Sequence, residues 1–274
     1  MSVINTNISA MKASNASISA NKMLGTSMER LSTGKRINGA KDDAAGLAIA
    51  TKMTADVRAM NQGVRNANDG IALAQTAEGA LNEVSNMLQR VRELAVQSKS
   101  GTYAAEDRTF MDAEVDELQA QIDDILTNTQ FNGVTLFSTT AGTDVTVDIA
   151  TGAAATDVVT LTSTAIDGTN LSTTALDVTT DVLAATTITN VDNAIDDVNA
   201  ARATLGAGQN RLESAVNNLT TNATNLSDAR SRIEDTDYSQ ETTALAKAQI
   251  LGQASTAMIA QANQSQQNVL SLLR

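Results

Sequence analysis

Carboxylates are the main side chains in this chain with the chemistry for acid–base catalysis or metal binding. Histidine and cysteine are absent from all 274 residues. That removes zinc sites with nitrogen or sulfur ligands, thiol nucleophiles, disulfides and every triad with a histidine base. The densest acidic run is Asp112, Glu114, Asp116 and Glu117. It lacks the glycine turn and closing glutamate of a calcium loop, so it reads as a solvated helix face. A catalytic pocket also needs apolar and aromatic walls. With no Trp, two Tyr and three Phe, the chain has little to build them from. The sequence therefore predicts no enzyme, no cofactor and no metal. Asn170-Leu171-Ser172 fits an N-glycosylation triplet, but a chain dense in Asn, Ser and Thr produces such triplets by chance. O-glycosylation of the Thr-rich middle stays open.

The charge points the same way. A net charge of -12 argues against nucleic-acid binding, which wants a basic face. No Lys or Arg occurs from Thr109 to Ala201, which leaves an acidic middle between ends near balance. Such a middle is expected to face water and the ends to face protein. Asn5, Asn7, Lys12, Asn15, Asn21 and Lys22 deny the first residues the apolar core of a secretory leader. The uncharged stretch Ala248 to Leu273 carries too many Gln and Asn to span lipid. No membrane insertion is expected, and an extracellular location would require a route that reads no cleaved leader.

What the chain has instead of chemistry is long helices. One 4-3 spacing runs unbroken through Val191, Ile195, Val198, Arg202, Leu205, Gln209, Leu212, Val216, Leu219, Ala223, Leu226, Arg230 and Ile233. A stripe so narrow and long is the seam of a helix packed on other long helices. A second seam steps through Met53, Val57, Met60, Val64, Ala67, Ile71, Ala74, Glu78, Leu81, Ser85, Leu88, Arg92 and Ala95. Val84 and Val91 fill its late polar slots from one position away. The predicted rod-domain seam thus rests on Val57, Val64, Ile71, Leu81 and Leu88 against Val198, Leu205, Leu212, Leu219 and Leu226. The expected fold is mainly α: an elongated, multi-helix coiled-coil rod built from both ends of the chain.

Local signals divide the rest. An amphipathic segment runs from about Asn5 to Leu31 and stops near Gly34. Asp42 and Asp43 mark the next helix start, and Gly101 is its expected C-cap. Met111, Val115, Leu118, Ile122 and Ile125 predict a third helix, and Asn132-Gly133 predicts a tight turn. Period-two patterning with β-branched residues, in Thr143–Ile149 and Asp157–Leu161, predicts a β-rich segment over 134–189. Asp237 with Gln240 suggests a capping box for the last helix. The expected domains are 1–43 with 236–274, and 44–235. Both terminal segments have apolar stripes but few charges. A lone helix of that kind has too little to bury, so both are expected to order only when many copies pack together. Ile8, Met11, Ile18, Leu251, Met258, Val269 and Leu272 are the expected packing residues of that innermost layer.

Several long stretches then resemble bacterial flagellin. They are RLSTGKRINGAKDDAAGLAIA (Arg30 to Ala50), RNANDGIALAQTAEGALNEV (Arg65 to Val84), LQRVRELAVQ (Leu88 to Gln97), TQFNGV (Thr129 to Val134), ARSRIEDTDY (Ala229 to Tyr238) and the terminal NVLSLLR. The resemblance implies a structural subunit, exported unfolded by the flagellar type III apparatus, that polymerises into the hollow helical filament used for swimming. It implies paired terminal helices as an inner domain around the central channel, a surrounding rod domain, and no large outer domains here. The partners it implies are further copies of the chain, the flagellar cap protein, the hook–filament junction protein and an export chaperone. It also implies recognition of free monomer by host Toll-like receptor 5 through Gln89, Arg90, Glu93, Leu94 and, on the next helix, Glu114. Arg90 and Leu94 are four apart and Arg90 and Glu93 three apart, so one helix face can carry them.

Alternatives remain in and beyond that class. The hook–filament junction protein is a relative of flagellin used in few copies. Flagellins with a zinc-protease insertion need a His-Glu-x-x-His motif, which a chain without histidine cannot supply. A dedicated adhesin would need a binding pocket that the short Thr-rich middle does not suggest.

Overall fold

The computed structural model describes residues 6–152, 154 and 156–271, with side chains as far as 267. Five α-helices occur among them: α1 (Ile8–Thr33), α2 (Ala44–Ser98), α3 (Ala105–Asn128), α4 (Asp181–Glu234) and α5 (Tyr238–Ser271). Two antiparallel hairpins lie between α3 and α4. They are β1 (Gln130–Phe131) with β2 (Val134–Thr135), and β3 (Val145–Ala150) with β4 (Val158–Ser163). The protein is thus mainly α, with a small β-containing middle.

Side chains set the helix ends. Asn7 accepts a hydrogen bond from the Ala10 amide at 3.0 Å and caps α1, which ends at Gly34 in a left-handed conformation, φ 72°. Asp43 accepts from the Gly46 amide at 2.9 Å and starts α2. The Asp107 carboxylate accepts from the Ala104 amide at 3.0 Å at the start of α3. Thr180 does the same for α4 through Leu183, and Asp237 for α5 through Ser239 and Gln240. Gly101 has no capping role, because its φ is not positive. The end of α2 is instead closed by Arg108, whose guanidinium donates to the Ser98 and Ser100 carbonyls at 2.8 and 3.2 Å.

The β-rich segment is shorter than its sequence predicts. Strand structure ends at Ser163, a 3-10 turn follows at Gly168–Leu171, and α4 already begins at Asp181. The Thr-rich run before Asn190 is helical because Ala184, Thr187, Val191 and Ala194 fall at 3-4-3 spacing on the buried face. The Thr187 hydroxyl donates to the Asp177 carbonyl at 2.7 Å, which satisfies its burial. At Asn132-Gly133 both residues have positive φ, 50° and 81°, as the tight turn requires.

The chain forms two compact units, Met1–Ala55 with Asn225–Arg274, and Asp56–Thr224. In the Asp56–Thr224 unit, one apolar core joins Leu81, Leu88 and Val91 of α2, Val115 and Ile122 of α3, and Val198, Leu205 and Leu212 of α4. Strand β3 turns Val145, Val147 and Ile149 toward this core and Thr146 and Asp148 away from it. Gly63 and Gly208 let the hairpin lie close: a Cβ at Gly63 would meet the Thr151 carbonyl, and one at Gly208 the Leu161 side chain.

The other unit holds the chain ends. Helices α1 and α5 pack together, and their buried residues are small: Ala13, Ala20 and Ser27 facing Ala248 and Ser255. The seven-residue steps in both sets keep one narrow seam along the pair. Each terminal helix has the other as a partner within one chain, although what the pair buries is slight.

Candidate assembly and recognition surfaces

The pair α1/α5 keeps Leu24, Leu31, Leu245 and Ile259 half-buried and presents its other described large apolar side chains outward. Ile8, Met11 and Ile18 are 53, 59 and 65% exposed, and Met258 is 64% exposed. Met23, Met28, Ile250 and Leu251 are exposed as well. By helical geometry Met11 and Ile18 lie opposite the Ala13–Ala20 seam. This is the reverse of a finished globular surface, where large apolar groups cluster inside. Of the expected packing residues, Ile8, Met11, Ile18, Leu251 and Met258 all lie on this exterior. Leu272 falls outside the described residues, as does the side chain of Val269.

Two short connections tie the ends of the chain to each other. Residues 34–36 run antiparallel to residues 234–236. The Arg36 amide donates to the Glu234 carbonyl at 2.6 Å, and the Thr236 amide to the Gly34 carbonyl at 3.0 Å. The Arg36 side chain adds a bond to the Ile233 carbonyl at 2.7 Å, and Lys35 pairs with Glu234 at 2.5 Å. Arg30 faces Glu241 at 3.7 Å. The turn after α1 and the turn before α5 are thereby held in one register. Three polar positions of the two seams are accounted for in a similar way. Glu78 meets Gln209 at 3.4 Å and Arg202 at 4.0 Å, so the breaks in the two stripes pair with each other.

The seam residues differ in depth. Leu81, Leu88, Val198, Leu205 and Leu212 are buried, whereas Val57, Val64, Ile71, Leu219 and Leu226 are half-buried. Arg92 is no seam member: it is exposed and bonds Asp192 at 2.7 Å, while Val91 takes the interior place.

A second surface lies on α2 and α3. Arg90 bonds Glu114 at 2.8 Å and Glu93 at 3.2 Å, so the structure brings these three together. The Glu114 and Glu93 hydrogen bonds push the guanidinium pKa still higher, so Arg90 stays charged. Gln89 is exposed beside them. Leu94 is a correction. It is only 2% exposed and belongs to the apolar core, because it falls three residues after Val91 on the buried stripe. Residues four apart share a side of a helix, but here the boundary of the buried face runs between them.

Sequence reasoning missed the polar anchors beneath this surface. By its place in the acidic run Asp112 reads as solvated. Its carboxylate accepts from the Val178 amide at 2.9 Å, while the Ser98 hydroxyl donates to the Val178 carbonyl. The loop before α4 is thus pinned to α2 and α3 through one buried residue. Burial raises the Asp112 pKa, with Asp177 and Asp116 adding repulsion and the Val178 amide opposing. A signal was present: Asp112 and Asp123 each directly follow a core residue, Met111 and Ile122. No group of metal-ligating side chains occurs among the described residues. No described helix is long and apolar enough to cross a membrane.

Comparison with known proteins accounts for this arrangement. The bacterial flagellin N-terminal helical region matches residues 4–142, and the C-terminal helical region matches residues 188–273. The chain belongs to the bacterial flagellin family. A flagellin of Halalkalibacterium halodurans is 44% identical over 275 residues, covering 99% of this chain and 100% of that protein. The flagellar filament 33 kDa core protein of Treponema phagedenis is 41% identical over 285 residues, with 99% and 100% covered. A solved Vibrio parahaemolyticus chain assigned as a flagellar hook-associated protein shares the fold, with a TM-score of 0.60 and 16% identity. It covers 71% of this chain and 100% of its own. As a flagellin, this protein is a structural subunit of a filament and not an enzyme.

Proposed function

We propose that this chain polymerises through its α1/α5 pair into the filament of a bacterial flagellum and serves outside the cell as the propeller of swimming. The observation that carries the reading is the outward set of large apolar side chains on a pair whose fully buried residues are alanine and serine. Burial of apolar surface stabilises by about 25 cal/mol per Å². A single chain forgoes that gain along both helices, and copies packed side by side recover it. The pair then forms the innermost layer of the polymer. Family membership supports export as an unfolded chain, with an export chaperone in the cell and a cap protein at the growing tip, and attachment through the hook–filament junction protein. The test is seeded growth. Purified chain added to short filament fragments is expected to elongate them, and monomer that persists across a wide concentration range would overturn the reading. The alternative role, junction protein itself, predicts few copies per cell instead of the bulk of the filament mass.

A second reading concerns free monomer. The exposed cluster of Arg90, Glu93 and Glu114, with Gln89 beside it, supports recognition by Toll-like receptor 5. Its charged groups are already fixed against one another, which lowers the ordering cost of binding.

A further inference from the structure

Methionine is the side chain that separates the exterior of the α1/α5 pair from an ordinary apolar surface. The chain has nine methionines. Met11, Met23, Met28 and Met258 are 59, 55, 44 and 64% exposed in the order Met11, Met28, Met23, Met258, and all four lie on this pair. Met111, in the core of the other unit, is 8% exposed. A thioether is soft and readily oxidised, and susceptibility follows exposure. Leucine or isoleucine at the same places would pack as well and would be inert.

We propose that Met11, Met23, Met28 and Met258, spread over the exterior of the pair, are an oxidation-sensitive set through which peroxide blocks addition of the subunit to the filament. The proposal rests on the assembly reading above. In the reaction the thioether sulfur attacks one peroxide oxygen and the O–O bond breaks. One oxygen atom is transferred to sulfur and the remainder leaves as water. Sulfur is oxidised by two electrons and peroxide is reduced by two. The product sulfoxide is polar and a strong hydrogen-bond acceptor. Packed between copies, it would lie on an apolar contact with no donor from Ile8, Ile18, Ile250 or Leu251 to satisfy it, and burial of an unsatisfied polar group is unfavourable. In the free chain the same sulfoxide faces water. Oxidation therefore weighs against the assembled state while leaving the Asp56–Thr224 unit intact. It is also repairable, because methionine sulfoxide reductases return the thioether.

The experiment uses the full chain and hydrogen peroxide. Monomer is treated briefly and quenched, peptides are mapped by mass spectrometry, and growth on untreated seeds is followed. Untreated chain must elongate seeds first; failure there sinks the assembly reading and not this one. The expected result is sulfoxide at Met11, Met23, Met28 and Met258 with Met111 spared, an unchanged circular-dichroism melt of the core, and loss of elongation. Sulfoxide reductase should restore elongation. The combined variant Met11→Leu, Met23→Leu, Met28→Leu, Met258→Leu, whatever its own rate of elongation, should keep that rate after peroxide. Oxidised wild type that grows at the untreated rate would overturn the proposal. So would a quadruple variant that grows untreated but loses growth on oxidation. If the variant does not grow at all, the reductase arm decides: growth that fails to return after the sulfoxides are removed counts against the proposal.

Discussion

Asp112 and Leu94 show how much one residue's surroundings decide. Asp112 looks solvated in the sequence, yet it holds the Val178 amide, and burial raises its pKa. A raised carboxylate pKa means that the folded chain keeps the proton more readily than the unfolded chain. The associated stability is complete below the unfolded pKa and is lost as pH rises through the folded value. At neutral pH the ionised side chain is therefore a small net cost, partly screened by solvent. Asp112→Asn keeps the acceptor and removes the charge, so its melting temperature at pH 7 should equal or exceed that of wild type. Asp112→Ala leaves the Val178 amide unpaired and should cost about 1 kcal/mol or more. Below the carboxylate range Asn and Asp should melt alike. Thermal melts against pH check this, and an Asn variant that falls as far as Ala would refute it. Leu94 and Arg90 separate in the same spirit. Leu94→Ala empties core volume and should cost ~2–5 kcal/mol of stability. Arg90→Ala touches only exposed partners and should leave the melt within ~0.5 kcal/mol while weakening receptor signalling by free monomer. Melts and a reporter-cell assay on both variants test the pair. Equal signalling by Arg90→Ala and wild type would remove the receptor reading of this surface.

At the scale of elements, the helices are legible in the sequence and the connections only in part, as at Gly34, Asn132-Gly133 and Asp237. The 4-3 stripes located α2, α3 and α4 because periodicity depends only on which face is buried. The run before Asn190 was misread because Thr and Val favour strands locally, and the helix there is decided by tertiary packing of Ala184, Thr187 and Val191. The C-cap at Gly101 was misassigned because Arg108, ten residues beyond Ser98, supplies the bonds. Glycine within helices also carries opposite meanings that sequence cannot separate. Nothing lies near a Cβ built at Gly206, so Gly206→Ala should stabilise α4 by about 1 kcal/mol through helix propensity. A Cβ at Gly63 meets the Thr151 carbonyl, a backbone group that cannot swing aside. Gly63→Ala should therefore lower the melting temperature despite the same propensity gain, because the end of the β3–β4 hairpin must lift from α2. Denaturant unfolding of the two variants measures the contrast, and a stabilised Gly63→Ala would show that the hairpin does not need that close approach.

Across the whole molecule, stability is unequally shared, and the function requires it to be. The Asp56–Thr224 unit closes an apolar core of leucine, valine and isoleucine from three helices and a hairpin. The terminal pair fully buries Ala13, Ala20, Ser27, Ala248 and Ser255, and leaves Leu24, Leu31, Leu245 and Ile259 half-buried. Ordering a residue costs roughly 1–2 kcal/mol of backbone entropy, and burying alanine or serine returns only part of it. The free chain should therefore open α1 and α5 far more often than α2, α3 and α4, in the manner of local unfolding. Neighbouring copies that cover Ile8, Met11, Ile18 and Met258 would shift that balance, so ordering of the ends and growth of the polymer become one event. Limited proteolysis of monomer should accordingly trim both ends and leave a resistant fragment close to 56–224. Hydrogen exchange should show low protection in α1 and α5 of the monomer and high protection in the filament. The trimmed fragment should keep its helical signal and its melt, yet fail to extend seeds. Normal filaments grown from that fragment would mean that the terminal pair is not the assembly core, and that the exposed apolar side chains on it answer to some other partner.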